Sequence, residues 1–131
     1  MATTQEVISL ARARNDIAAL WLYGSRARES HHAQSDFDFA VGFTDWLEDP
    51  LERRLRPEML AEDWREACGL AEGQLSVVDI AIAPIPLGIA ILSDGKLLLD
   101  QHPQIRLGLE SRILSRWELD YEYHRKHFGA L

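Results

Sequence analysis

The chain has 131 residues, 47% of them hydrophobic, which is enough for one buried core and too short for two full domains. That composition excludes a disordered chain. The formal net charge of −7 removes the basic surface on which general nucleic-acid binders depend, so binding of DNA or RNA by bulk charge is not expected.

The longest apolar stretch, residues 77–92, is interrupted by Asp79, Pro84, Pro86 and Gly88, so no membrane span is expected. The first residues show no basic stretch followed by an apolar run, and a single cysteine, Cys68, allows no internal disulfide. A cytoplasmic location is the corresponding expectation. Acids are dense from Asp45 to Glu72. Basic residues gather at Arg12, Arg14, Arg26 and Arg28, and again at Arg125 and Lys126. Most of these charges read as solvated surface.

In chain order, residues 5–14 read as a short helix with Val7, Leu10, Ala11 and Ala13 available for an apolar face. Residues 17–23, IAALWLY, read as a buried strand ending at Gly24, and residues 25–30 as a helical turn or more. Residues 36–43, DFDFAVGF, alternate as a second strand. Asp49-Pro50 is a helix start, Pro57 is expected to restart the helix, and Leu60, Trp64 and Cys68 then recur every four residues before a stop at Gly69. Residues 75–83 read as a third strand. A short helix runs from Pro86 to Leu92, Asp94-Gly95 is a turn, and residues 96–100 form a fourth strand. A long last helix carries an apolar stripe of Ile105, Leu109, Ile113, Trp117, Tyr121 and Phe128, with His124 in line. The stripe is either core or a partner surface. The expected architecture over residues 1–131 is a single α+β domain, an α/β sandwich. Helices would cover a small mixed sheet on one face and leave the other free for chemistry.

Three acids fall in or beside strands, where bare carboxylates are seldom tolerated. Alternation puts Asp36 and Asp38 on one face, with Phe37, Phe39 and Val41 on the other. In the third strand Val78, Ile80 and Ile82 share a face, with Asp79 opposite them. If the apolar sets meet in the core, all three carboxylates meet on the exposed face. Such a cluster repels itself unless a divalent cation is present, and oxygen ligation suits Mg²⁺ or Mn²⁺. Two ions about 3.5–4 Å apart can hold the attacking and leaving oxygens of a phosphoryl displacement. Gly24 lets a phosphate approach the backbone, Ser25 adds a hydroxyl, and Arg26 or Arg28 can clamp phosphate oxygens. Simpler roles are a capping pair for Asp36 and Asp38, a structural acid for Asp79 and a turn cap for Ser25. The adjacent His31 and His32 read as exposed loop residues rather than zinc ligands.

The segment GSRARESHHAQSDFD, a Gly-Ser followed by residues 26–35 and then Asp-x-Asp, resembles the signature of the DNA polymerase β-like nucleotidyltransferase superfamily. With YGSRARES, SDFDFAV and VVDIAIA in order, the chain is similar to minimal nucleotidyltransferases of the MntA type, and the similarity covers most of its length. The resemblance implies a polymerase β-like core with a C-terminal helix, ATP as substrate and a pair of Mg²⁺ ions. Asp36 and Asp38 would hold both metals. Asp79 would complete the acceptor metal and take the acceptor's proton. It also implies transfer of AMP to a protein hydroxyl, a tyrosine of a HEPN-domain toxin of the HepT type. The protein would then be the antitoxin of a type VII-like pair. Two alternatives are neutralisation by binding alone and transfer to a small-molecule hydroxyl. The chain departs from the family pattern at Glu29, where glycine is common.

Overall fold

The structure is a computed structural model that describes the backbone of residues 2–128 and the side chains of residues 3–127. Its elements are α1 (Ala2–Arg12), β1 (Ile17–Tyr23), a single 3₁₀ turn (Gly24–Arg26), β2 (Phe37–Phe43), α2 (Pro50–Cys68), β3 (Leu75–Asp79), α3 (Ile85–Asp94), β4 (Lys96–Asp100) and α4 (Pro103–Phe128). The sheet order is β3-β2-β1-β4. β1 pairs antiparallel with β2 and β4, while β2 and β3 run parallel.

β1 is central and apolar along its whole length, as a strand covered on both faces must be. Leu20 and Leu22 face a first core with Phe39 and Val41 of β2, Leu75 and Val77 of β3, and Val7, Leu60 and Trp64 of α1 and α2. Trp64 meets the Phe39 ring edge-on at 6.2 Å. Ala19 and Trp21 face a second core, closed by Ile80, Ile91, Leu109 and Ile113. The expectation of helices on one face is therefore corrected. α1 and α2 cover one face, and α3 with the first half of α4 covers much of the other. The apolar residues on both sides of β1 require two covers. The end of the second face that carries Asp38 and Ser76, with Tyr23 packed at the border of the second core, remains for a site.

Local signals explain the boundaries. Asp49 caps α2 by accepting the Leu51 amide at 2.9 Å, and Gly69 closes it in the left-handed region at φ 69°. The helix does not restart at Pro57. It runs through, because the Pro57 ring is buried on the same side as Leu60 and Trp64, and that burial offsets the lost backbone bond. β3 stops at Asp79 rather than reaching residue 83. Asp79 accepts the Ala81 amide through its own carboxylate at 2.9 Å, turning the chain so that Ile80 enters the second core while Ile82 is 37% exposed.

In α4, Ile105, Leu109 and Ile113 pack on the sheet. Trp117 and Tyr121 stack on each other at 5.6 Å with both side chains exposed. The side chain of Phe128 lies outside the described residues.

The α3–β4 turn gives a direct test of this packing. A β-carbon at Gly95 would collide with the Ile91 carbonyl oxygen and stand 3.2 Å from that of Leu22. Backbone atoms cannot yield as side-chain ends do. Gly95→Ala is expected to lower stability by about 1–3 kcal/mol, measured by urea unfolding, whereas the same change at Gly108 of α4, which has open space and no positive φ, should not destabilise the fold.

Candidate nucleotide and metal site

The site begins where β1 ends. Gly24 has φ +75°, in the left-handed region, and a β-carbon there would stand 2.5 Å from Asp38 Oδ2. Glycine is thus required twice, by the turn and by the carboxylate pressed against it. The turn is closed by the Ala27 and Arg28 amides, which donate to the Gly24 carbonyl at 3.1 and 3.2 Å. The Ser25 hydroxyl makes no hydrogen bond among the described residues. Asp38 is half-buried in β2, and Asp36 is exposed just before the strand begins at Phe37.

The Ser76 hydroxyl donates to Asp38 Oδ1 at 2.8 Å, because β3 registers Ser76 beside Asp38. On the other side β1 registers Tyr23 opposite Asp38. Burial, and then the Asp38 charge, push the Tyr23 phenol above its ordinary value, while a hydrogen bond with Ser76 opposes the rise.

Asp79 does not join this group. It registers with Val41, on the face of Phe39 and Val77, at the far end of the parallel pair. The expected assembly of three carboxylates on one face is corrected accordingly. It assumed that Val78, Ile80 and Ile82 form the core face of β3. Leu75 and Val77 form it instead, so every assignment in the strand moves by one residue. Asp79 is 4% exposed and lines a cleft of about 300 Å³ with Phe43, Asp45, Trp46 and Arg112. Burial raises its carboxyl above the ordinary value, opposed by the Ala81 amide and by the charges of Arg56 and Arg53. Among the described residues no group of three or more His, Cys, Asp or Glu side chains is placed to hold a metal. Asp36 and Asp38 fit a Mg²⁺ that arrives with a triphosphate, since Mg²⁺ usually takes one or two carboxylates plus phosphate oxygens. They do not form the three-acid cage that was expected.

The arginines separate. The Arg26 guanidinium donates to the Ser35 carbonyl at 2.8 Å and lies 3.7 Å from the Phe37 ring centroid. It fastens the loop before β2 to the first residue of that strand. Arg28 is exposed and unpaired among the described residues. Glu29 has φ 59° and pairs with Lys96 at 3.1 Å. The left-handed backbone explains why glycine suits this position, and the ion pair draws the acid toward β4. His31 and His32 are exposed, and His32 Nδ1 accepts the Gln34 amide at 3.2 Å.

Residues 5–104 match the family described as polymerase beta, nucleotidyltransferase. The chain belongs to this family. Among solved structures, a chain of a toxin–antitoxin complex with AMP-PNP is 22% identical, with 93% of this chain and 92% of that chain covered and a TM-score of 0.72. A chain from a structure of a tri-AMPylated Shewanella oneidensis HEPN toxin in complex with an MNT antitoxin is 20% identical, with 95% and 91% covered and a TM-score of 0.68. A chain of an MntA–HepT toxin–antitoxin complex is 20% identical, with 95% and 92% covered and a TM-score of 0.67. At these identities the likeness is one of fold. None of the curated proteins compared with the chain matches it. Family membership bears out the α+β nucleotidyltransferase core that the Gly-Ser and Asp-x-Asp spacing predicts. It does not return Asp79 to the site.

Ser76 and Tyr23 are site residues that the sequence reading missed. The parallel pairing that brings Ser76 to Asp38 leaves no mark within β3 itself. Tyr23 was visible only as the last residue before Gly24.

The burial of Asp79 generates a pH test. A carboxyl raised in the fold favours folding while protonated, and that contribution is lost as pH rises from the unfolded value of about 3.8 through the folded value. Asp79→Asn keeps an oxygen for the Ala81 amide and removes the charge. The variant is expected to be more stable than wild type at neutral pH, with the gain vanishing well below pH 3.8. Denaturant unfolding across pH checks this, and a destabilised variant at neutral pH would contradict it.

Proposed function

We propose that the chain is a metal-dependent nucleotidyltransferase that moves AMP from ATP to a protein hydroxyl, probed most directly as a tyrosine of a HEPN-type toxin. In this reading it is the antitoxin of the pair. The observation that carries the reading is the contact of Gly24 with Asp38 at the uncovered end of the sheet face. That contact brings a side-chain-free backbone turn, followed by a Ser25 hydroxyl with no hydrogen bond among the described residues, against the Asp38 carboxylate, and it supports a phosphate site there. The family match supports the reaction class. The toxin–antitoxin complexes that share the fold support the partner.

The triphosphate lies along Gly24 and Ser25, where no β-carbon obstructs it. Ser25 donates to a phosphate oxygen, and Arg28 is the arginine left unengaged to meet the phosphates from outside. Asp36 and Asp38 would hold the divalent cation, which when bound neutralises phosphate charge and favours attack at phosphorus. The acceptor oxygen bonds to the α-phosphorus. The bond from that phosphorus to the bridging oxygen breaks, and pyrophosphate leaves with the electron pair. The acceptor's proton passes to solvent water. Asp79 takes no part.

Neutralisation by contact alone has one observation on its side: the neighbour of Asp38 on β3 is a serine, not a third acid. The two readings separate cleanly. Wild type, Mg²⁺, ATP and a HEPN partner are expected to add AMP to the partner, seen as added mass in intact mass spectrometry. Asp38→Asn should abolish the addition and the rise in melting temperature caused by Mg²⁺ and a non-hydrolysable ATP analogue. That rise corresponds to about 2.7 kcal/mol at a hundred times Kd. Ser25→Ala should cost only about 0.5–1.5 kcal/mol of nucleotide binding, as one neutral hydrogen bond. Protection of cells by Asp38→Asn with no mass added to the partner would establish contact as sufficient.

A further inference from the structure

The parallel β2–β3 register sets one residue of β3 directly beside Asp38 on the uncovered face, and that residue is Ser76. Its hydroxyl donates to Asp38 Oδ1 at 2.8 Å, while Oδ2 of the same carboxylate lies against Gly24. Tyr23 stands on the other flank of Asp38, in register from β1. Asp38 is therefore enclosed by two neutral hydroxyl side chains and a glycine. The nearest buried acid in sequence, Asp79, points to the opposite face.

This arrangement bears on how many cations the site can hold. Two divalent ions about 3.5–4 Å apart repel strongly, and such pairs depend on carboxylates that bridge them or serve each separately. Asp36 and Asp38, with triphosphate oxygens and waters, can complete the shell of one Mg²⁺. A second ion on the β3 side of Asp38 would meet the Ser76 hydroxyl, a neutral and weak ligand. It would also have to take the Asp38 oxygen already engaged by that hydroxyl. The backbone around position 76 is regular strand in ordinary register, so an acid of similar reach would occupy the same place.

We propose that Ser76 limits this site to a single divalent cation, the one that accompanies the nucleotide, and that no acceptor-side ion binds. The inference rests on the nucleotidyltransferase reading above and adds the ion count and the residue that sets it. Ser76 acts here as a specificity-determining residue through Asp38.

Counting Mn²⁺ bound per chain, by electron paramagnetic resonance titration in the presence of a non-hydrolysable ATP analogue, tests it. Wild type is expected to bind one ion. Ser76→Asp is expected to bind two, since the new carboxylate stands beside Asp38. Ser76→Ala is expected to bind one, since loss of the hydrogen bond adds no ligand. Circular dichroism reports whether the variants keep the fold. Two ions on wild type would overturn the proposal whatever the variants do. One ion on a folded Ser76→Asp would also overturn it, by showing that Ser76 is not the limit. No nucleotide-dependent Mn²⁺ on wild type would instead remove the nucleotidyltransferase reading itself, and the proposal with it.

Discussion

The site depends on how closely the backbone at Gly24 approaches Asp38. A β-carbon at residue 24 would stand 2.5 Å from the Asp38 carboxylate, so only glycine allows β1 to turn where it does. That turn positions Ser25 and begins the loop that Arg26 then ties to the Ser35 carbonyl and the Phe37 ring. Arg26 thus ties down the loop that leads into Asp36. One glycine and one guanidinium fix how a strand end and a polar loop meet beside Asp38.

The sheet explains where such a site can be. β1 buries both of its faces, so helices must lie on both sides. α3 and α4 close over Trp21 and Ala40, Tyr23 packs at the border of that core, and Asp38 and Ser76 are left half-buried outside it. The parallel β2–β3 pair then decides which β3 residues share that uncovered end. Ser76 does, and Asp79 does not. Asp79 serves the opposite side, where its carboxylate turns the chain after β3 and its burial is tempered by Arg53 and Arg56. Those arginines are also held locally. Arg56 pairs with Asp45 at 2.8 Å and lies over the Phe43 ring, and Arg53 lies over Trp46.

Much of this was legible in the residues. The spacing from Gly24-Ser25 to Asp36 and Asp38 points to the family and to the candidate site, and the alternation in 37–43 gives the correct faces of β2. Asp49-Pro50 and Gly69 marked the ends of α2. What failed were properties of pairing rather than of local pattern. VVDIAI alternates equally well in two phases, and the true phase is set by the register with β2. IAALWLY carried the signal for a doubly covered strand, yet reading its cover as one-sided left α3 and the start of α4 without their role. Pro57 looked like a break because its backbone cost is local, while the burial that offsets it comes from the sheet.

In the proposed function Asp36, Asp38 and the Gly24 turn hold the nucleotide and its metal without Asp79. A crystal structure of the chain with AMP-PNP and Mn²⁺, with the metal located by anomalous scattering, tests it most directly. The account predicts an anomalous peak bound by Asp36 and Asp38, with triphosphate oxygens against Gly24 and Ser25. A metal peak at Asp79, or a nucleotide seated away from Gly24, would contradict it.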